Sequence, residues 1–294
     1  MTDYAVEVTD LTYRFKESPE PAVENINLKV PWNTRTLVVG ANGAGKSTLL
    51  KLLSGKHLCL TGNIKVNGLD PFSPLSMTTS IDNTLIENDD GFGNKGECQV
   101  STYLGTEWCH MSIINRDIGV LELLDSIGYQ FFKQRGDRLI DILDIDVNWR
   151  MHRLSDGQKR RVQLAMGLLK PWRVLLLDEV TVDLDVIARM RLLDFLKWET
   201  TNRKCSVVYA THIFDGLAAW PDYVLHMQSG KIVSKLDYKN DVTFCNAKED
   251  SEANGKVIVK ENGQKLDVIR LNSLHPLAIH WLQGDHSKIS PGLS

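Results

Sequence analysis

The chain has 294 residues, 43% hydrophobic and 24% charged, with a formal net charge of -3. That supplies apolar material for one large or two modest globular cores, and the near-balance of charge excludes a global field drawing nucleic acid or acidic lipid. The opening MTDYAVEVTD carries acids where a secretory leader carries positive charge, and no apolar run reaches the roughly 18 to 20 residues that span a bilayer, so neither a signal peptide nor an intrinsic membrane span is expected. Five cysteines, Cys59, Cys98, Cys109, Cys205 and Cys245, are odd in number and form no CxxC pair. They read as reduced thiols of a cytoplasmic or nuclear protein rather than a disulfide framework or zinc site.

In chain order, Tyr4 to Val8 and Asn25 to Val30 alternate like strands around a Pro-rich turn at Pro19 and Pro21. Thr36 to Val39 is a short apolar strand entering a Gly-rich loop, Ser47 to Leu53 reads as a helix, and Gly62 to Gly68 is again strand-like. A polar, acid-rich insertion at about 71–98 reads as a solvated loop. Helical periodicity runs through Val120 to Ile127 and Gln163 to Leu169, which predicts a helical subdomain. Val174 to Leu177 and Val207 to Ala210 are continuous apolar runs, as in parallel strands covered on both faces, with Val186 to Trp198 as the crossover helix between them. Beyond Asn240, strand-like Lys256 to Lys260, an Asn262-Gly263 turn, strand-like Leu266 to Leu271 and apolar Leu277 to Leu282 predict a small hairpin-plus-helix extension. The expected division is therefore 4–240 for an α/β domain and 241–294 for the extension.

Residues 40 to 48 read GANGAGKST, a match to G-x-x-x-x-G-K-[ST] placed between a strand and a helix. Gly40, Asn42, Gly43, Ala44, Gly45, Lys46, Ser47 and Thr48 are thus expected to wrap the phosphates of ATP. The glycines let the backbone N-H groups turn inward, and the helix N-terminus adds positive potential. Lys46 would neutralise phosphate charge, and Ser47 would put its hydroxyl on Mg2+. Further on, VLLLDE runs an apolar strand into Asp178 and Glu179 at the carboxyl edge of the sheet, where α/β folds bind ligands. Asp178 suits a Mg2+-bound water and Glu179 the polarisation of the attacking water; alternatively, the two acids only decorate a helix N-terminus.

Between these sites stands LSDGQ, Leu154 to Gln158, followed by KRRVQLAMGLL. In that order of motifs the chain resembles the ABC ATPase family from about Val6 to Lys235. The resemblance implies a P-loop NTPase fold with a RecA-like α/β core, an antiparallel β subdomain and a helical signature subdomain, and hydrolysis of ATP to ADP and phosphate. It also implies a nucleotide-dependent homodimer, in which Ser155, Gly157 and Gln158 complete the site of the second copy. By the same resemblance Phe15, with Tyr13 as competitor, stacks on adenine; Asp183 couples the two sites, with Asp185 near it; and His212 holds Glu179 with its water.

Two positions depart from the family pattern. Asp156 replaces the second signature glycine, and TYLGTEW offers Thr106 or Glu107 where the family has its glutamine, so Glu107 is the candidate for a metal or its water. Stretches such as TEWCHMSIINRDIGVLELL and the tail NSLHPLA resemble a branch of the family that associates with a carbon-catabolite-repressor/Not type regulatory complex, implying protein partners of that kind and a link to transcription. The alternatives are the ATPase subunit of a multi-subunit membrane transporter, and a scaffold that binds nucleotide without turnover. Lys159, Arg160 and Arg161 read as a solvated or interface face of the signature helix, and direct binding of nucleic acid is not expected.

Overall fold

Buried and exposed side chains alternate along β2 (Val23–Pro31) and β4 (Asn63–Val66), and β1 (Tyr4–Tyr13) buries its apolar side chains between them. This is the pattern of an antiparallel sheet with one face covered, and the three pair antiparallel in the order β2-β1-β4. The computed structural model of the chain describes residues 3–59, 61–73, 99–105, 116–245, 260–262, 265–269, 274 and 277–282. Thr106, Glu107, Cys98, Cys109 and the insertion beyond residue 73 lie outside the described residues, as does most of the expected Lys256 to Lys260 strand.

The central sheet joins β3 (Arg35–Val39), β5 (Gln99–Leu104), β6 (Trp172–Asp178), β7 (Ser206–Ala210), β8 (Tyr223–Gln228) and β9 (Lys231–Asp237) in the order β5-β6-β7-β3-β8-β9. All pairs are parallel except β8 with β9. Every residue of β3 and β7 is buried, as parallel strands with both faces covered require. Successive side chains point to opposite faces, so the same strands feed two cores. Val38, Val174, Leu176, Val208 and Leu225 pack with the antiparallel sheet and with α1 (Lys46–Leu53). Leu37, Leu175, Leu177, Val207 and Val224 pack with the helical side of the molecule.

That side holds α2 (Val120–Ser126), α3 (Lys133–Ile142), α4 (Asp156–Leu169) and α5 (Val186–Asn202). A buried ion pair ties α3 to α5. The Arg135 guanidinium donates to Glu199 Oε1 at 2.7 Å and Oε2 at 3.0 Å, and its Nε donates to the Leu168 carbonyl at 2.8 Å. Glu199 is 0% exposed. Burial would raise its pKa, but Arg135 and Arg203 outweigh that and hold the carboxyl below its usual range. α3 has no counterpart in the expected elements, nor do β5, β8 and β9.

The basic run in α4, expected to form a solvated or interface face, is split by the structure, which buries Arg160 and engages Arg161 in ion pairs. Arg160 is 3% exposed, and Arg161 pairs with Asp144 at 2.9 Å and Asp185 at 2.5 Å. Three consecutive helical residues lie about 100° apart around the axis, so a run of like charge cannot share one face.

After α6 (Tyr238–Asp241), β10 (Val242–Cys245) pairs parallel with β12 (Lys265–Ile269), which pairs antiparallel with β11 (Lys260–Asn262). Against the expected strands at Lys256 to Lys260 and Leu266 to Leu271, β11 shares only Lys260 and takes in Asn262 of the expected turn, β12 covers most of the second, and Gly263 lies outside the described residues. The last helix among the described residues, 277–282, is designated α7. Leu274, Leu277, Ala278 and Trp281 are buried in the same core as Phe214, Leu217 and Trp220, and Trp281 stacks on His226 of β8 at 4.7 Å with an interplanar angle of 7°. Cys59 is half-buried and Cys205 buried, neither in a disulfide, and among the described residues no helix is long and apolar enough to cross a membrane.

Candidate active site

Because β7 lies between β3 and β6, three strand ends open side by side at the carboxyl edge of the sheet. β3 leads into residues 40–48, β6 into Asp178 and Glu179, and β7 into His212. This is where a doubly covered parallel sheet exposes main-chain and side-chain polar groups together.

The loop after β3 is tight. A Cβ on Gly40 would lie 2.3 Å from the Met227 carbonyl oxygen, and one on Gly45 would lie 2.6 Å from the Ala22 oxygen at a φ of 99°. Only glycine fits either position. The loop is also braced from β8-β9, where the Gly230 N-H donates to the Ala44 carbonyl at 3.0 Å. Lys46 is buried within it and donates from Nζ to the carbonyls of Gly40 at 2.8 Å and Ala41 at 3.0 Å. Burial lowers the Lys46 pKa, while Glu179 and Asp178 act in the opposite sense. Asn42, Gly43 and Ser47 are exposed on the rim and Thr48 is half-buried.

Ser47 Oγ donates to Asp178 Oδ1 at 3.0 Å, and the Tyr103 hydroxyl donates to Asp178 Oδ2 at 3.0 Å. A hydroxyl and a carboxylate at that separation are hard oxygen donors of the sort Mg2+ accepts beside waters and nucleotide phosphates, so this pair fits the cation. Glu179 follows with a φ of 54°, a left-handed conformation rare for a residue with a side chain. Its N-H donates to the Ala210 carbonyl at 3.0 Å. Its Oε2 accepts from the His212 main-chain N-H at 3.2 Å and lies 2.8 Å from His212 Nδ1. The imidazole is 58% exposed and the carboxylate 20%, so the pair faces open space. Behind them Thr181 and Tyr209 share a hydrogen bond at 2.5 Å, and burial pushes the Tyr209 pKa up to about 12.

Phe15 is 40% exposed and packs edge-on to Tyr13 at 5.1 Å and to His57 at 5.7 Å; Tyr13 stacks on His57 at 5.7 Å. The aromatic candidates therefore form one cluster with a histidine that the sequence did not single out.

Ser155 and Gln158 form a reciprocal cap at the start of α4. Ser155 Oγ accepts from the Gln158 N-H at 3.3 Å, and Gln158 Oε1 accepts from the Ser155 N-H at 3.0 Å. A Cβ on Gly157 would lie 2.9 Å from the Asp183 carbonyl oxygen, so the loop carrying Asp183 packs directly on the helix start. Arg160 ties these parts together. Its guanidinium donates to the Gly105 carbonyl at 3.0 Å and to Gln163 at 2.5 Å, and its Nε lies 3.4 Å from Asp183 Oδ2. Asp185 caps α5 through the Ala188 N-H at 2.9 Å, and that bond, with help from Arg161, lowers its pKa. Thus Lys46, Ser47, Asp178, Glu179 and His212 converge, while Ser155, Gly157 and Gln158 bond within their own cap and against the Asp183 loop. The contacts of Tyr103 and Arg160 are not legible in the sequence: no strand is announced around Tyr103, and Arg160 stands in a run of basic residues.

Against known proteins, the family model described as ABC transporter matches residues 23–182. CCR4-associated factor 16 of Saccharomyces cerevisiae is 68% identical over 97% of this chain and 96% of its own length. ABC transporter I family member 21 of Arabidopsis thaliana is 41% identical over 82% of this chain and 81% of its own length. Among solved structures, a dimeric bacterial ABC transporter cassette is similar in fold, with a TM-score of 0.59 and 19% identity over 79% of this chain and 98% of that one.

Proposed function

Because this chain belongs to the ABC transporter ATP-binding family, and is therefore an ATP-hydrolysing protein, we propose that residues 40–48, Asp178, Glu179 and His212 form its catalytic half-site. The single observation that carries this reading is Glu179 Oε2 held 2.8 Å from His212 Nδ1 beside the Ser47-Asp178 pair. Lys46, released from the loop carbonyls it now contacts, neutralises phosphate oxygens, and the inward N-H groups of residues 40–48 take the remainder. Ser47 and Asp178 hold Mg2+, which when bound offsets the negative charge of the terminal phosphates. Glu179 accepts a hydrogen bond from the attacking water, and His212 keeps the carboxylate from swinging away. The water oxygen bonds to the γ-phosphorus as the bond to the ADP oxygen breaks, leaving ADP and phosphate. Phe15, with Tyr13 and His57 around it, offers a face to adenine.

The second half of the site is supplied by Ser155, Gly157 and Gln158 of another copy, so the working unit is a homodimer. The open N-terminus of α4, capped by Ser155, supports this: its first-turn N-H groups suit an anionic ligand. Phosphate release from Glu179→Gln should fall at least about a hundredfold with MgATP binding retained, and the loaded variant should be trapped as a dimer by mass. Wild-type turnover in that variant would overturn the assignment.

For the biological role we propose the ATP-driven regulation of a protein assembly linked to transcription, in the cytoplasm or nucleus. The name of the yeast relative, a factor associated with CCR4, supports it. A second reading, the ATPase subunit of a membrane transporter, is supported by the name of the Arabidopsis relative. Affinity capture separates them: membrane-spanning proteins recovered in stoichiometric amount favour the transporter, CCR4-type assembly components the regulator.

A further inference from the structure

The Asp178 carboxylate is buried, and its two oxygens have different partners. Oδ1 faces Ser47 and Oδ2 faces the Tyr103 hydroxyl, each at 3.0 Å. The terminal torsion of an aspartate is broad and roughly two-fold, so nothing intrinsic to the side chain decides which oxygen meets Ser47. Strand register places a tyrosine there to decide it. Tyr103 of β5 is paired with Leu176 of β6, and Asp178, two residues on, shares that face of the sheet.

Two further features are built around the phenol. The Lys56 ammonium lies over its ring, 4.5 Å from the centroid, a cation-π contact that fixes the ring plane. Gly105 leaves room for the hydroxyl, since a Cβ there would lie 2.6 Å from the Tyr103 oxygen. The Gly105 carbonyl is in turn held by Arg160 at 3.0 Å and Gln163 Nε2 at 2.9 Å. A phenylalanine would fill the same space, so packing does not account for the hydroxyl.

We infer that Tyr103 is a positioning residue for the cation site: its phenol clamps Asp178 Oδ2 and so presents Oδ1, together with Ser47, to the metal. This rests on the reading of Asp178 as a Mg2+ group. The effect belongs to the Mg2+-dependent part of nucleotide binding and not to the phosphate loop itself.

The test compares the affinity of purified full-length protein for a fluorescent ATP analogue in EDTA and in excess Mg2+, for wild type, Asp178→Asn, Tyr103→Phe and Gly105→Ala. Tyr103→Phe should leave affinity in EDTA unchanged and reduce the gain from Mg2+ by roughly tenfold, the scale of a hydrogen bond to a charged group. Gly105→Ala, whose Cβ would crowd the Tyr103 hydroxyl at 2.6 Å and the ring at 2.9 Å, should likewise reduce the gain from Mg2+. If Asp178→Asn keeps the wild-type gain, the assignment of Asp178 to the cation fails, and the inference with it. If Asp178→Asn loses the gain while Tyr103→Phe keeps it, the clamp alone is overturned.

Discussion

At the phosphate-loop edge, Lys46, Ser47, Asp178, Glu179 and His212 arrive from three strand ends, and each is bonded to a group from elsewhere in the chain or from the loop around it. At the signature, Ser155 and Gln158 bond to each other across one helical turn, and Asp156 stands in solvent with Lys159 4.0 Å away. The first region is assembled by tertiary structure; the Ser155-Gln158 cap of the second closes within four residues. A cap of this kind leaves its other first-turn N-H groups directed outward, which suits a surface that works on another molecule.

Mixing two damaged chains breaks or sharpens that contrast most strongly. Lys46→Ala and Ser155→Arg should each reduce ATP turnover about a hundredfold or more alone. Mixed in equal amounts they should recover about a quarter of wild-type activity, because half the dimers are mixed and each of those keeps one intact site out of two. No recovery in a mixture shown by mass to contain dimers would place both regions in the same site of one chain.

A smaller effect is expected at the buried ion pair that ties α3 to α5. Glu199→Gln leaves Arg135 and Arg203 facing an uncharged amide in the core, and stability by denaturant titration at neutral pH should fall by about 3 kcal/mol. The Glu199 pKa is held down in the folded state. Its contribution is therefore fully present above the usual carboxylate range and is lost as pH falls through the folded value. The gap between wild type and variant should accordingly narrow on acidification, and a gap independent of pH would remove Glu199 as its cause. The smallest change is expected from Asp156→Gly. The side chain is 88% exposed, so stability should move by less than about 0.5 kcal/mol, while the ATP-trapped dimer of Glu179→Gln should form at lower protein concentration once an acid is taken from the nucleotide's surroundings.

The two regions were also legible to different degrees. The phosphate-loop motif and the Asp178-Glu179 pair are legible because they stand at the ends of strands that apolar runs announce, whereas His212 is singled out only through the family resemblance. The pairing of Glu179 with His212 follows from β7 lying between β3 and β6, which the runs alone do not reveal. Tyr103 could not be read, because its role depends on the register of β5 against β6, and β5 itself looks polar. The burial of Arg160 is not legible, because composition carries no information on which side of a helix a charge falls. α3 was missed because its sequence KQRGDRLIDI is mostly polar and carries a glycine, and Arg135 is recognisable as a core residue only once Glu199 is placed opposite it.

The packing of the tail ties it to the segment that follows His212. α7 and Leu274 cover the segment that follows His212, with the Leu274 N-H donating to the Phe214 carbonyl at 3.2 Å. A protein trimmed after Asn240 would retain every motif of an ATPase yet present Phe214, Leu217 and Trp220 to water, a sticky face close to His212. Evolution or engineering that shortens this end must therefore repair an oily surface before it can keep the enzyme.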